Sequence, residues 1–135
     1  MALLADRLAD HGDVAKVLSA AVEAIGLTEE AVWVEASDAG SLTRVLVACD
    51  LALVDFRLDG NHFRAEVLPW LRVRLTALGL SVISDDNRRE ALSVRVTLEA
   101  PVVSIGPTNP GMAYEQSAFD FARTLLARTS QTSQR

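Results

Sequence analysis

The chain has one cysteine, Cys49, and two histidines, His11 and His62, among 135 residues. One cysteine excludes a disulfide within the chain and a structural zinc site built on thiolates. A nucleophilic cysteine needs a neighbour that stabilises its thiolate. Cys49 stands in an apolar run with no histidine at a meaningful spacing, so it is read as a buried, inert thiol. Basic charge is also scarce. Lysine and arginine total 13 against 18 carboxylates, a net charge of −5. A nucleic-acid module ordinarily carries a basic excess to replace phosphate counterions, and anionic membranes attract the same excess. Neither nucleic acid nor membrane is therefore expected as a partner. Almost all the positive charge is arginine, Lys16 being the one lysine, a bias attributed to genome composition.

Long apolar runs are missing too. The most apolar stretch, 45–54, is interrupted by Asp50 and is shorter than the ~20 residues a membrane span requires. The opening "MALLADRLADHGD" places Asp6 and Arg7 where an export signal would be apolar. The expectation is a cytoplasmic, soluble single domain spanning 1–128, with a flexible polar tail at 129–135.

Half the residues are hydrophobic, and their periodicity changes along the chain. In segment 2–26, "DVAKVLSAAVEAIG" carries Val14, Val17, Leu18, Ala21, Val22 and Ile25 at helical spacing. Asp13 suits the N-cap and Gly26 the position just past the helix. A short helix ending near Gly12 is expected before it. From 31 to 106 the period is two. "VWVEA", "LTRVLVAC" and "LALVDFRL" read as strands, the last two separated only by Asp50. "DGN" at 59–61 is a hairpin turn, and "DDNR" is a second turn. "LGLSVIS" and "PVVSIG" read as further strands. "LSVRVTL" alternates most cleanly, with Leu92, Val94, Val96 and Leu98 on one side. A helix over 110–127 closes the chain, with Asn109 as N-cap, Pro110 at the first position, and Ala118, Phe119, Ala122, Leu125 and Leu126 as its apolar stripe. Short, closely connected strands favour antiparallel pairing. The fold class is α+β: a bent antiparallel sheet or partial barrel of about six to seven strands, with an N-terminal helix and a C-terminal capping helix.

The strands of 32–107 and the helix of 112–126 carry a resemblance. "EVLPWLRV" and "AFDFARTLLA" resemble the central strand and final helix of bacterial pleckstrin-homology-like domains. The resemblance implies a seven-stranded bent sheet closed by the last helix. It does not imply phosphoinositide binding, because the loop "ASDAGS" contains Asp38 and no basic residue. A second resemblance is to the small acidic α/β chaperones of type III secretion, which require a helix in the middle of the strands. Pro69 opposes a long helix there.

No catalytic or metal-ligating constellation is expected, nor a cofactor. Asp85 and Asp86 are neighbours in a turn, and Asp50, Asp55 and Asp59 lack metal-loop spacing. "GPTNPG" lacks the lysine of a phosphate loop. The candidate partner-binding residues are Arg57, Arg64, Trp70, Arg72 and Arg74. In "PWLRVRL", the alternation puts Leu71, Val73 and Leu75 on a core face, and Arg72 and Arg74 ~7 Å apart on the wet face. Two such arginines repel unless offset by Glu66, Asp55 or Glu99, or by an acidic partner. Trp33 and Trp70 are expected in the core. The functional expectation is a non-enzymatic protein-binding or self-assembly module, whose partner is a protein, a peptide or a further copy. The alternative is a secretion-type chaperone for an unfolded client.

Overall fold

The computed structural model describes residues 4, 8, 11–37, 39, 41–59, 62–84, 90–99, 103–105 and 112–133. The chain is α+β and forms two compact units, Met1–Trp70 and Leu71–Arg135.

In the first unit, helix α1 (Gly12–Ala24) precedes four strands: β1 (Glu29–Ala36), β2 (Leu42–Cys49), β3 (Ala52–Asp59) and β4 (His62–Pro69). They pair antiparallel in chain order, β1-β2-β3-β4. Helix α1 starts two residues earlier than expected. His11 takes the N-cap without a side-chain capping bond, and Asp13 falls in the first turn, where a carboxylate favours the helix dipole. Gly26 adopts φ 75°, which glycine reaches without a Cβ clash, and so ends the helix as expected. Leu18 and Val22 of the apolar stripe are buried, as is Ala15 outside it, whereas Val17 and Ile25 are exposed. Ahead of α1, Leu4 and Leu8 are buried and linked by a backbone bond from Leu8 N–H to Leu4 C=O.

The core of this unit packs α1 and Leu4 and Leu8 against one sheet face, formed by Val32, Val45, Val47, Cys49, Val54 and Phe56. At ~25 cal/mol per Å² of apolar area removed from water, a fully buried side chain of this size contributes about 1.5–3 kcal/mol. The opposite face is buried as well over β1–β3, at Trp33, Leu46, Ala48, Leu53 and Asp55. This explains why β2 and β3 read as continuous apolar runs rather than alternating ones. The boundary between them is the two-residue link Asp50–Leu51. Asp50 ties it to the entry of β1: its Oδ1 accepts from Thr28 N–H at 3.0 Å, and its N–H donates to Thr28 C=O at 3.1 Å. The next hairpin closes with Asp59 opposite His62. The glycine and asparagine of its turn, and Asp38 and Gly40 of the β1–β2 loop, lie outside the described residues.

Between the units the opening of "PWLRVRL" departs from expectation. β4 ends at Pro69, a 3-10 turn covers Trp70–Arg72, and β5 begins at Leu75. Pro69 has no N–H for a ladder, and two alternating residues are too few to hold an extended segment. Leu71 is 82% exposed, so it is not a core residue, whereas Val73 is buried. Arg72 and Arg74 are therefore not neighbours on a sheet face. The central helix required by a secretion-chaperone fold does not form in this stretch.

In the second unit, β5 (Leu75–Ser84), β6 (Glu90–Leu98) and the short β7 (Val103–Ile105) form a smaller antiparallel sheet, followed by helix α2 (Met112–Ser133). Val96 and Leu98 are buried and Arg95 is exposed, as the alternation requires. Leu92 and Val94 fall outside the described side chains, and the turn 85–89 and the helix start at Asn109–Pro110 outside the described residues. α2 lies along β6 and β5. Its buried face is Phe121, Ala122, Leu125 and Thr129, with Phe119 half-buried and Leu126 exposed. The helix runs to Ser133, beyond the expected end, through residues read as a loose tail. Thr129 sustains it by donating from Oγ1 to Leu125 C=O at 2.7 Å.

Among the described residues the two sheets share no ladder, and neither closes into a barrel. The expectation of one bent sheet or partial barrel is corrected accordingly. No helix among the described residues is long and apolar enough to cross a membrane.

Candidate functional site

Each sheet register in the first unit places charge on the face opposite α1. Arg44 stands opposite Arg57, and Leu46 opposite Asp55. Asp55 then stands opposite Glu66, and Arg57 opposite Arg64. Asp55 is 1% exposed, and Arg44 holds it through two bonds: Nε donates to Oδ1 at 2.9 Å and an Nη to Oδ2 at 2.7 Å. The bidentate geometry satisfies both carboxylate oxygens. The bond to Asp55 also raises the Arg44 pKa above its ordinary value, against the opposing effect of burial. Arg57 approaches the same carboxylate at 3.6 Å from the surface.

The candidate residues thus separate. Arg57 and Arg64 are brought side by side on β3 and β4. Trp70 is buried, its indole N–H donating to Cys49 C=O at 2.9 Å, which makes it a core residue. Arg72 is exposed in the 3-10 turn. Arg74 is paired with Glu99 at 3.1 Å within the second unit. Both partners of that pair are largely exposed, so it contributes less than about 1 kcal/mol. Arg44 escaped the sequence reading. Its partnership with Asp55 depends on a two-residue β2–β3 link, and the flanking apolar runs hide where that link falls.

β4 differs from the other strands of its sheet. Of its eight residues only Leu68 is half-buried; the rest are exposed. Phe63 and Val67, 42% and 44% exposed, share one side with Ala65, while Arg64 and Glu66 occupy the other. Phe63 is held edge-on against Phe56, ring centroids 5.8 Å apart. Beside this end of β4 lies a cavity of about 160 Å³ lined mainly by Val14, Val17, Leu18, Leu58 and Phe63, with Asp13 and His62. It is smaller than the ~300–1,000 Å³ of ordinary ligand pockets, and it presents one carboxylate rather than a converging pair.

Cys49 is fully buried, and burial pushes its thiol up to about 12, assisted by Asp50, Glu29 and Glu30. A thiol so placed is neither a nucleophile nor a ligand at neutral pH. The described residues contain no cluster of three or more histidine, cysteine or carboxylate side chains able to hold a metal. The Trp33 indole N–H is buried without a hydrogen-bond partner.

Comparison with protein-family models, with curated proteins and with solved structures returned no match.

Proposed function

We propose that this chain is a non-enzymatic protein-binding or self-assembly module that takes up an extended segment along β4. One observation carries the reading: β4 is an eight-residue strand at the end of its sheet, exposed along almost its whole length. Such an edge presents unpaired N–H and C=O groups, which supply affinity, and alternating side chains, which supply selectivity. Phe63 and Val67 offer apolar contact, and Arg64 and Glu66 offer charge. Antiparallel strands followed by a C-terminal helix are what the chain shares with a pleckstrin-homology-like scaffold, and the division into two sheets is where it departs from one. A scaffold of that kind leaves the function to its surfaces.

Amide hydrogen exchange tests the reading. The chain is measured alone at low concentration, concentrated, and together with any protein that co-purifies with it. The expected result is protection of amides 62–68 in an associated state. Association that protects other amides, while β4 exchanges freely, would count decisively against it.

A further inference from the structure

We propose that β4 pairs with β4 of a second copy, antiparallel, about a two-fold axis at Ala65. The inference rests on the assembly reading above and names its partner.

The strand is self-complementary. With Ala65 opposite Ala65 of the second copy, Arg64 falls opposite Glu66 and Glu66 opposite Arg64. On the other side, Phe63 falls opposite Val67, so apolar groups meet apolar groups. Within the chain the same charges are poorly served. Arg64 stands across from Arg57, and Glu66 across from Asp55, like against like. Like charges directly opposite each other weaken a sheet. Neither Arg64 nor Glu66 makes an ion pair among the described residues; Asp55 is taken by Arg44 and Arg57. The second copy sets an opposite charge directly across from each, in addition to the Arg44 charge that Glu66 already feels.

The backbone permits this register. A two-fold at one residue closes either a hydrogen-bonded or a non-hydrogen-bonded pair, and both occur in antiparallel ladders. Pro69, which cannot donate, falls beyond the last pair, His62 with Leu68. Parallel pairing in register would set Arg64 on Arg64. The other end strand, β1, carries only acidic charge, Glu29, Glu30 and Glu35, and two copies meeting there would bring acid toward acid. The isologous contact closes at two copies. Seven residues a side lie below the ~800 Å² per partner of a standard interface, so the dimer is reversible on dilution.

The test is sedimentation velocity with light scattering on the full chain over a dilution series reaching about 1 mM. The unmodified chain is expected to pass from monomer to dimer. Arg64→Glu and Glu66→Arg each convert two attractive contacts into two repulsive ones, because every substitution appears twice. Each is expected to raise the dimer Kd about tenfold or more. Either reversal also places an opposite charge across from β3, so the fold is expected to be no less stable, checked by thermal unfolding. The double variant Arg64→Glu/Glu66→Arg restores every cross-copy pair and is expected to bring Kd back to within about threefold. Ala65→Cys is expected to give a disulfide-linked dimer on mild oxidation, since Cα atoms opposite each other at ~4.5–5.5 Å fall in the disulfide range. A chain monomeric at every concentration, assemblies that grow beyond two, or a double variant as weak as the singles would overturn the pairing. If β4 amides are instead protected by a different protein, the pairing fails and the assembly reading stands. Amides 62–68 that exchange freely in every state remove both.

Discussion

The two tryptophans occupy similar degrees of burial with opposite polar outcomes. Trp70 gives its indole N–H to Cys49 C=O at 2.9 Å, whereas the Trp33 N–H has no partner. A buried polar group is costly when unsatisfied and modestly stabilising when paired. Trp70→Phe deletes the donor to Cys49 C=O, and is expected to destabilise by about 0.5–1.5 kcal/mol beyond the lost ring volume. Trp33→Phe removes a donor that bonds to nothing, so its cost is expected to be the volume loss alone. Urea unfolding of the two variants checks the pair; equal losses would show that the hydrogen bond at Trp70 contributes nothing. From the sequence, Trp70 is expected in the core and is also a partner-binding candidate because it follows Pro69, at a bend; its burial agrees with the first reading. Its acceptor was not legible, since the carbonyl comes from a strand 21 residues earlier in the chain.

Among the elements, the β2–β3 ladder places a bidentate charge pair, the shortest among the described residues, inside a sheet. Removing one partner leaves the other charged and largely buried, which costs about 3–5 kcal/mol. Asp55→Ala is expected to reach that range in chemical denaturation, with Glu35 and Glu66, whose charges also favour the Arg44 cation, drawing it toward the lower end. Replacing both, as Arg44→Met with Asp55→Leu, is expected to recover most of the loss, because desolvation of the pair is then avoided. A double variant as unstable as Asp55→Ala would mean that the pair itself, not relief of a stranded arginine, sustains the strand. The elements most open to sequence reading were those with one wet face or a marked terminus. β6 shows it in exposed Arg95 and half-buried Thr97 alternating with buried Val96 and Leu98, and α1 in Gly26 at φ 75°. β2 and β3 were harder because burial on both faces erases the alternation that would mark their ends. The arginines of the candidate site were legible as positions. The pairing of Arg57 with Arg64 follows from the hairpin at 59–62, whereas that of Arg44 with Asp55 follows from a link the sequence leaves ambiguous. The stretch after Pro69 was misread because two alternating residues resemble a strand, and the end of α2 because its polar composition conceals the buried Thr129.

For the molecule as a whole, one alkaline limit follows from Cys49. Its thiol titrates near 8.5 when unfolded and at about 12 when folded. The folded-state value is the higher, so this contribution to stability is fully present below pH ~8.5 and is lost as pH rises toward 12. Urea midpoints between pH 7 and 11 are expected to fall more steeply for the native chain than for Cys49→Ala; parallel slopes would exclude Cys49 as the source. The meander of β1–β4 has a further consequence, in the order of synthesis. Every ladder of the first unit joins strands adjacent in the chain, and its final residue, Trp70, fastens back to Cys49. Loops this short close at low entropic cost, and local pairing favours fast folding. All the ladder partners of the first unit's strands have left the ribosome once Trp70 has, while the second unit is still being made. Nascent chains queued along one message would then display β4 close together, so the pairing proposed for β4 would begin during translation, at a local concentration far above that of the released protein.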